Sequence, residues 1–280
     1  MADEADRRKL DRLEEVLREL RTVVVAFSGG ADSALLAWVA SKVLGRENAL
    51  CLTAVSASLA SWELEDVRRL ADDWDLAWRP VETGELSDPQ YVANGPDRCF
   101  HCKSHLMEAL VPVARQQGAV VVLGVNTDDL KEHRPGQDAA KLQGARFPLV
   151  DAGLDKAAVR SLSSEIGLRT WDKPAAACLA SRIPAGTAVT SETLSRVSRA
   201  EAGLRQLGFA QVRVRHYGDV ARVELDTGAL GRALEMRSDV VAAVKRAGYR
   251  WVTLDLEGFR SGNLDPFNSR HPRPPAHRAL

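Results

Sequence analysis

The chain has 280 residues, 45% of them apolar and 27% charged, an ordinary globular composition with room for one large domain or two of usual size. Its 38 basic and 38 acidic side chains cancel, which counts against a general binder of nucleic acid. No apolar stretch approaches membrane-spanning length, and the charged Met1–Thr22 segment lacks a signal-peptide core, so a cytoplasmic protein is expected. Four cysteines in a reducing compartment point to metal binding or catalysis rather than a disulfide framework.

In chain order, the leucines and valine at 10, 13, 16, 17 and 20 predict an amphipathic helix over 6–21. Val23–Phe27 reads as a strand buried on both faces. A helix over 34–44, a strand over 49–55, a helix over 61–74 and a strand over 77–81 follow, then a helix over 102–117, a strand over 119–125 and a helix over 156–166. This alternation predicts a doubly wound parallel α/β domain over residues 1–184. Beyond Pro184 the order becomes helix (191–207), strands (211–216 and 221–225), helix (229–247) and strand (251–256). That order predicts a small α+β domain with an antiparallel sheet over 185–264, for substrate binding or oligomerisation. The proline-rich 265–280 stretch reads as a disordered tail.

At the first strand-to-helix junction stands "VVVAFSGGADSALLAWVA". Glycines there let the backbone turn tightly and expose its N–H groups, and the helix N-terminus favours an anion. The stretch fits neither Gly-x-x-x-x-Gly-Lys-Ser/Thr nor Gly-x-Gly-x-x-Gly. Ser28, Gly29, Gly30, Asp32 and Ser33 instead resemble the Ser-Gly-Gly-x-Asp-Ser loop of the PP-loop ATP pyrophosphatases. That resemblance implies cleavage of ATP between its α- and β-phosphates, with pyrophosphate held in the loop and Asp32 helping to position Mg2+. A bland alternative is a tight turn with an Asp favouring the helix start. Gly124, Asn126 and Asp128 lie at the carboxyl end of the strand over 119–125, where open α/β sheets bind ligands, and are assigned to ATP with the loop. On their own they would be an ordinary turn.

"TWDKPAAACLASRIPAGTAVT", running from Thr170, is similar to the signature of the ATP-dependent sacrificial sulfur transferases, the LarE family. "DRCFHCK", "NTDDLKEHRPG" and "VRVRHYGDVARVE" resemble the same family, and the likeness runs from about Arg21 to about Asn263. It implies synthesis of a nickel-pincer nucleotide cofactor. ATP would adenylate a carboxylate of pyridinium-3,5-biscarboxylic acid mononucleotide, and sulfur would replace AMP to leave a thiocarboxylate. It also implies a homo-oligomer, while the balanced charge and the lack of a long apolar stretch lead to the expectation of no nucleic-acid partner and no membrane.

Cys178 lies in the signature, near Lys173 and Arg182 in sequence, and is the expected nucleophile; sacrificing its sulfur would leave dehydroalanine. Cys51, in an apolar strand, reads as core. Cys99 and Cys102 are half a metal site by spacing. With Cys178 they match the three-cysteine [4Fe-4S] site of some PP-loop sulfur transferases, an alternative source of sulfur. Arg213 and Arg215 alternate on one strand, so both face one side and suit a phosphate, the other reading being a solvated basic face. Ser181, Arg182 and Glu201 match family positions near the substrate. The competing functions are a PP-loop tRNA thiolase and a non-catalytic nucleotide-binding module.

Overall fold

The computed structural model of the protein describes residues 2–131, 135–174 and 177–260. The chain divides between Cys178 and Leu179 into two compact units. The division falls ahead of Pro184, where the sequence pattern changes. The tail over 265–280 lies outside the described residues.

The N-terminal unit begins with α1 (Glu4–Leu20), started by Asp3, whose carboxylate accepts from the Asp6 N–H at 2.8 Å. Then come β1 (Val23–Ala26), α2 (Ala31–Leu44), β2 (Ala49–Val55), α3 (Ser61–Asp73) and β3 (Ala77–Glu82). A short helix α4 (Pro89–Val92) is capped by Asp88 and followed by α5 (Arg98–Gln116), β4 (Val120–Leu123), α6 (Pro135–Leu142), α7 (Pro148–Asp151) and α8 (Lys156–Ile166). The three short helices α4, α6 and α7 have no periodicity of their own to betray them in the sequence. Each begins at a proline, whose fixed φ suits a first helical turn.

All strands of this sheet are parallel, in the order β3-β2-β1-β4. The order reverses between β1 and β4, and a crevice at the carboxyl ends of strands is expected there. Alternation on β1 splits the core. Val23 and Val25 join Leu13, Leu17, Leu35 and Leu162 on one face; Val24 joins Leu52, Met107, Leu110 and Phe147 on the other. Helices on both faces make this the doubly wound architecture that the strand–helix alternation predicts. Cys51 is fully buried in this core, and burial pushes its thiol up to about 12.

The C-terminal unit holds α9 (Ser191–Gln206), β5 (Val212–Tyr217), β6 (Val220–Leu225), α10 (Leu230–Glu235), α11 (Arg237–Arg246) and β7 (Trp251–Leu254). Thr190 and Thr193 form a reciprocal capping box at the start of α9. Two features depart from expectation. The sheet, ordered β5-β6-β7, is mixed rather than antiparallel: β5 and β6 are antiparallel across the Gly218–Asp219 turn, but β7 runs parallel to β6. Helices α10 and α11 carry the chain back over the sheet, and such a crossover returns a strand parallel. The helix expected over 229–247 is also two helices, broken at Met236, with Arg237, Ser238 and Asp239 opening the second. Leu204, Val212, Val214, Val223, Leu225, Val244 and Tyr249 form the core of this unit. Among the described residues no helix is long and apolar enough to cross a membrane.

Candidate functional site

Between β1 and α2 the chain turns at Ser28, Gly29 and Gly30. Gly29 has φ +69, and a Cβ there would stand 2.7 Å from the Val67 side chain, so the position requires glycine twice over. The loop is held from within. Ser28 and Ser33 hydroxyls lie 3.0 Å apart, the Ser33 hydroxyl donates to the Gly30 carbonyl at 3.1 Å, and the Ser28 N–H donates to Ser33 Oγ at 3.3 Å. Backbone N–H groups at the start of α2 are thereby presented to an anion.

Beside the loop, Gly124 lets the end of β4 lie against the first turn of α2; a Cβ would be 2.7 Å from the Ser33 nitrogen. Asn126, fully buried, is the keystone. Its side-chain N–H donates to Asp32 Oδ1 at 2.9 Å, and its carbonyl accepts from the N–H groups of Asp128 and Asp129 at 3.0 and 3.1 Å. Asp128 turns the other way and accepts from the Lys156 N–H at 3.0 Å, at the start of α8. The carboxylate that acts on Asp32 is Asp129, which sequence reasoning missed. Burial raises the Asp32 carboxyl above its usual range against the pull of Asn126, and the charge of Asp129 adds to the rise. A hard divalent cation there would relieve two crowded carboxylates, so the residues present fit Mg2+ carried with polyphosphate.

Lys173 reaches this loop rather than the thiols. Its ammonium donates to the Gly29 carbonyl at 3.1 Å, to Asp66 at 2.7 Å and to Glu63 at 3.2 Å. Asp66, which also pairs with Arg169 at 2.7 Å, is held below the usual carboxylate range: burial works upward, but the Lys173 and Arg169 bonds outweigh it.

The thiols of the same unit are brought within electrostatic reach of one another. Cys99 and Cys102 sit on the first turns of α5, Cys99 and Cys178 are exposed, and Cys102 is half-buried. The Cys102 thiol is pushed up to about 12, chiefly by burial and then by the charge of Cys178, with Cys99 adding. Arg98, at the start of α5, feels the charge of Cys178. Burial works to lower the Arg98 guanidinium, but the charges of Cys178 and Cys99 outweigh it and hold it above its usual range. Among the described residues no group of three His, Cys, Asp or Glu side chains is arranged to hold a metal ion.

The C-terminal unit carries a second cluster. Arg182 is buried and forms a two-pronged pair with Glu201, Nε to Oε1 at 2.8 Å and Nη2 to Oε2 at 3.1 Å. Glu201 Oε1 also accepts the Val214 N–H at 3.0 Å. Arg215, 2% exposed, pairs with Glu224 at 2.7 Å and donates to the Ser181 carbonyl at 3.0 Å. Arg222 reaches the other Glu224 oxygen at 3.1 Å. Arg213 lies over the Phe259 ring, 4.5 Å from its centroid. Burial, then Arg182 and Arg215, lower its guanidinium to about 10. The two strand arginines are therefore not a solvated edge, nor are they alike: Glu224 answers Arg215, whereas an aromatic face answers Arg213. Glu224 faces Arg213 in the β5–β6 register, a pairing that the hairpin alternation could have exposed.

A parallel sheet ordered 3-2-1-4, with a Ser-Gly-Gly-x-Asp-Ser turn from its central strand into a buried helix, defines an ATP-utilising enzyme of the PP-loop type. In agreement, the NAD synthase family model matches residues 8–88. An uncharacterised Synechocystis protein is 45% identical over 260 residues, 92% of this chain and 97% of that one. The pyridinium-3,5-bisthiocarboxylic acid mononucleotide synthase of Lactiplantibacillus plantarum is 38% identical over 250 residues, 89% of this chain and 91% of its own. A tRNA-specific 2-thiouridylase of Rickettsia rickettsii is 27% identical over 191 residues, only 55% of this chain and 52% of the relative. The chain belongs to the pyridinium-3,5-bisthiocarboxylic acid mononucleotide synthase (LarE) family of ATP-dependent sulfur transferases.

Proposed function

We propose that this enzyme converts a carboxylate of pyridinium-3,5-biscarboxylic acid mononucleotide into a thiocarboxylate, forming AMP and pyrophosphate, on the way to a nickel-pincer nucleotide. The observation that carries the reading is Cys178, an exposed thiol in the unit that also holds the Ser-Gly-Gly loop. The relative that spans the same length and is named for this product supports it.

Ser28, Gly29, Gly30 and Ser33 hold the leaving pyrophosphate, and Asp32 with Asp129 would hold Mg2+, which would offset the negative charge of the polyphosphate. Adenylation turns a carboxylate oxygen into part of a good leaving group, AMP, which the Cys178 thiolate displaces to give a thioester. Loss of the Cys178 Cα proton and cleavage of its Cβ–S bond then release the thiocarboxylate and leave dehydroalanine. In the C-terminal unit, Arg213 is the cation best suited to the substrate's phosphate, because Arg182 and Arg215 are already committed to carboxylates.

Cys99, Cys102 and Cys178 would together suit a [4Fe-4S] cluster, which would supply sulfide in place of the Cys178 sulfur. Intact-protein mass spectrometry after one anaerobic turnover with substrate, ATP and Mg2+ tests the sacrificial route. The chain is expected to lose the elements of hydrogen sulfide at Cys178, and Cys99→Ser and Cys102→Ser are expected to remain active. An unchanged mass with all three cysteines essential would replace the sacrificial route by a [4Fe-4S] one. Sulfur transfer by Cys178→Ser would overturn both.

A further inference from the structure

The peptide between Gly29 and Gly30 is the softest joint of the nucleotide loop. With no Cβ on either side it turns over against little steric resistance, and no other Gly-Gly pair occurs in the chain. In a trans peptide the C=O and N–H point in opposite directions. Whatever holds the Gly29 carbonyl therefore aims the Gly30 N–H. The group that holds it is Lys173, whose ammonium donates to that carbonyl at 3.1 Å although 144 residues separate the two in the chain. The ammonium is built into place. It has three N–H donors, and besides the carbonyl it meets Asp66 at 2.7 Å and Glu63 at 3.2 Å, both on α3. Asp66 is itself held by Arg169 at 2.7 Å. The Lys173 backbone is fixed as well. Its N–H donates to the Thr170 carbonyl at 3.1 Å, and its own carbonyl accepts from Arg160 of α8 at 3.1 Å.

We infer that Lys173 is a positioning residue for pyrophosphate: it locks the Gly29–Gly30 peptide with the Gly30 N–H turned toward the phosphate oxygens. The inference rests on the reading of the Ser-Gly-Gly loop as the pyrophosphate cradle and adds the group that sets the shape of that cradle. With the peptide turned over, the Gly29 carbonyl would face the anion, and an attractive dipole would become a repulsive one. A cation on the carbonyl makes the locking bond charge-assisted, and so stronger than one from a neutral donor. Lys173 acts on the phosphates through the peptide and has no need to touch them. Together with Arg169 it also answers the charges of Glu63 and Asp66 beside the loop, a second effect that the test separates from the first.

The test uses the sequence itself. Glycine isotopically labelled at its carbonyl carbon and its nitrogen gives a single carbonyl-to-amide correlation in the magnetic resonance spectrum of the full-length protein, because Gly29–Gly30 is the one Gly-Gly pair. In the parent this resonance should move on titration with inorganic pyrophosphate and Mg2+. In Lys173→Met, which keeps most of the side chain's length and removes its charge, the resonance should be displaced or split even without ligand. Pyrophosphate affinity by calorimetry should fall about ten- to a hundred-fold there, as for loss of a charge-assisted bond. Lys173→Met/Glu63→Gln restores the charge balance but not the lock, and it should bind as weakly as Lys173→Met. Asp66→Asn, which loosens the ammonium but leaves it in place, should lose several-fold. A ligand-free resonance at the parent position in Lys173→Met would overturn the inference, and so would parent-like affinity in that variant or in the double one. If Lys173→Met does not fold, Asp66→Asn decides in its place, and parent-like resonance and affinity there would overturn the inference. If pyrophosphate leaves the resonance of the parent unmoved, the reading of the loop fails, and the ligand-free comparison still decides whether Lys173 sets the peptide.

Discussion

The nucleotide loop of the N-terminal unit and the arginine cluster of the C-terminal unit are both built for anions, but by different means. The loop works with backbone. Its N–H groups are fixed by a glycine at φ +69 and by two serine hydroxyls, and the Asp32–Asn126 and Lys173–Gly29 bonds tie it to other segments. The cluster works with charge. Arg182, Arg213 and Arg215 meet Glu201 and Glu224, and the carboxylates occupy two of the three guanidiniums. A backbone cradle tolerates little change in shape, whereas a buried charge cluster tolerates little change in balance. Burying ions costs more than a single bond returns, so each partner is needed mainly because the other is there.

Four changes probe that difference, in order of decreasing expected effect. Gly29→Ala forces a Cβ into the Val67 side chain at an unfavourable φ, and it should abolish ATP-dependent pyrophosphate release while leaving the C-terminal unit folded. Wild-type release by that variant would break the claim that loop shape decides. Glu201→Gln leaves the Arg182 charge unanswered in a buried place and should cost about 3–5 kcal/mol of stability by denaturant unfolding, with Arg182→Met/Glu201→Leu recovering most of it. A double variant as unstable as the single one would show that the pair matters for shape rather than charge.

Arg213→Ala, by contrast, should weaken substrate binding about ten- to a hundred-fold in calorimetry, with ATP affinity and stability nearly unchanged, because this guanidinium is the one that answers an aromatic ring. Loss of stability without loss of affinity would make Arg213 one more structural member of the cluster.

The smallest effect concerns pH. The Asp32 carboxyl is raised on folding, so between its unfolded and folded pKa values the native state holds the extra proton. Stability therefore falls as pH rises through that window, and the penalty is fully present above it. Asp32→Asn should raise the melting temperature at neutral pH while removing pyrophosphate release. The gain should fade as pH falls through that window and be gone below about 4, the ordinary range of an aspartate. A gain independent of pH would assign it to packing rather than charge.

How much of this was legible in the sequence follows the same division. Val23–Val25, Ser28–Ser33 and the apolar strands announce the parallel sheet and its loop because strand periodicity, glycine freedom and helix-start chemistry act over a few adjacent residues. The β7 direction and the break at Met236 were not legible, since a crossover and a polar turn decide them and neither changes the local apolar pattern. Cys178 was legible from the segment around it, but the partners of the nearby cations were not. Lys173 and Arg182 are near in sequence and pair with Asp66 and Glu201, and the charge of Cys178 is also felt by Arg98, at the start of α5. Likewise Asp129 rather than its neighbour Asp128 acts on Asp32, because Asn126 closes a tight turn that sends the two carboxylates in opposite directions. Sequence by itself thus determined the class of fold and the Ser-Gly-Gly turn from strand to helix, and it singled out Cys178 for the proposed chemistry, because the signals for these are local. Which charge answers which was decided only by the tertiary structure, because a buried guanidinium pairs with whatever carboxylate, thiol or ring the fold brings to within a few ångströms, however far away it lies along the chain.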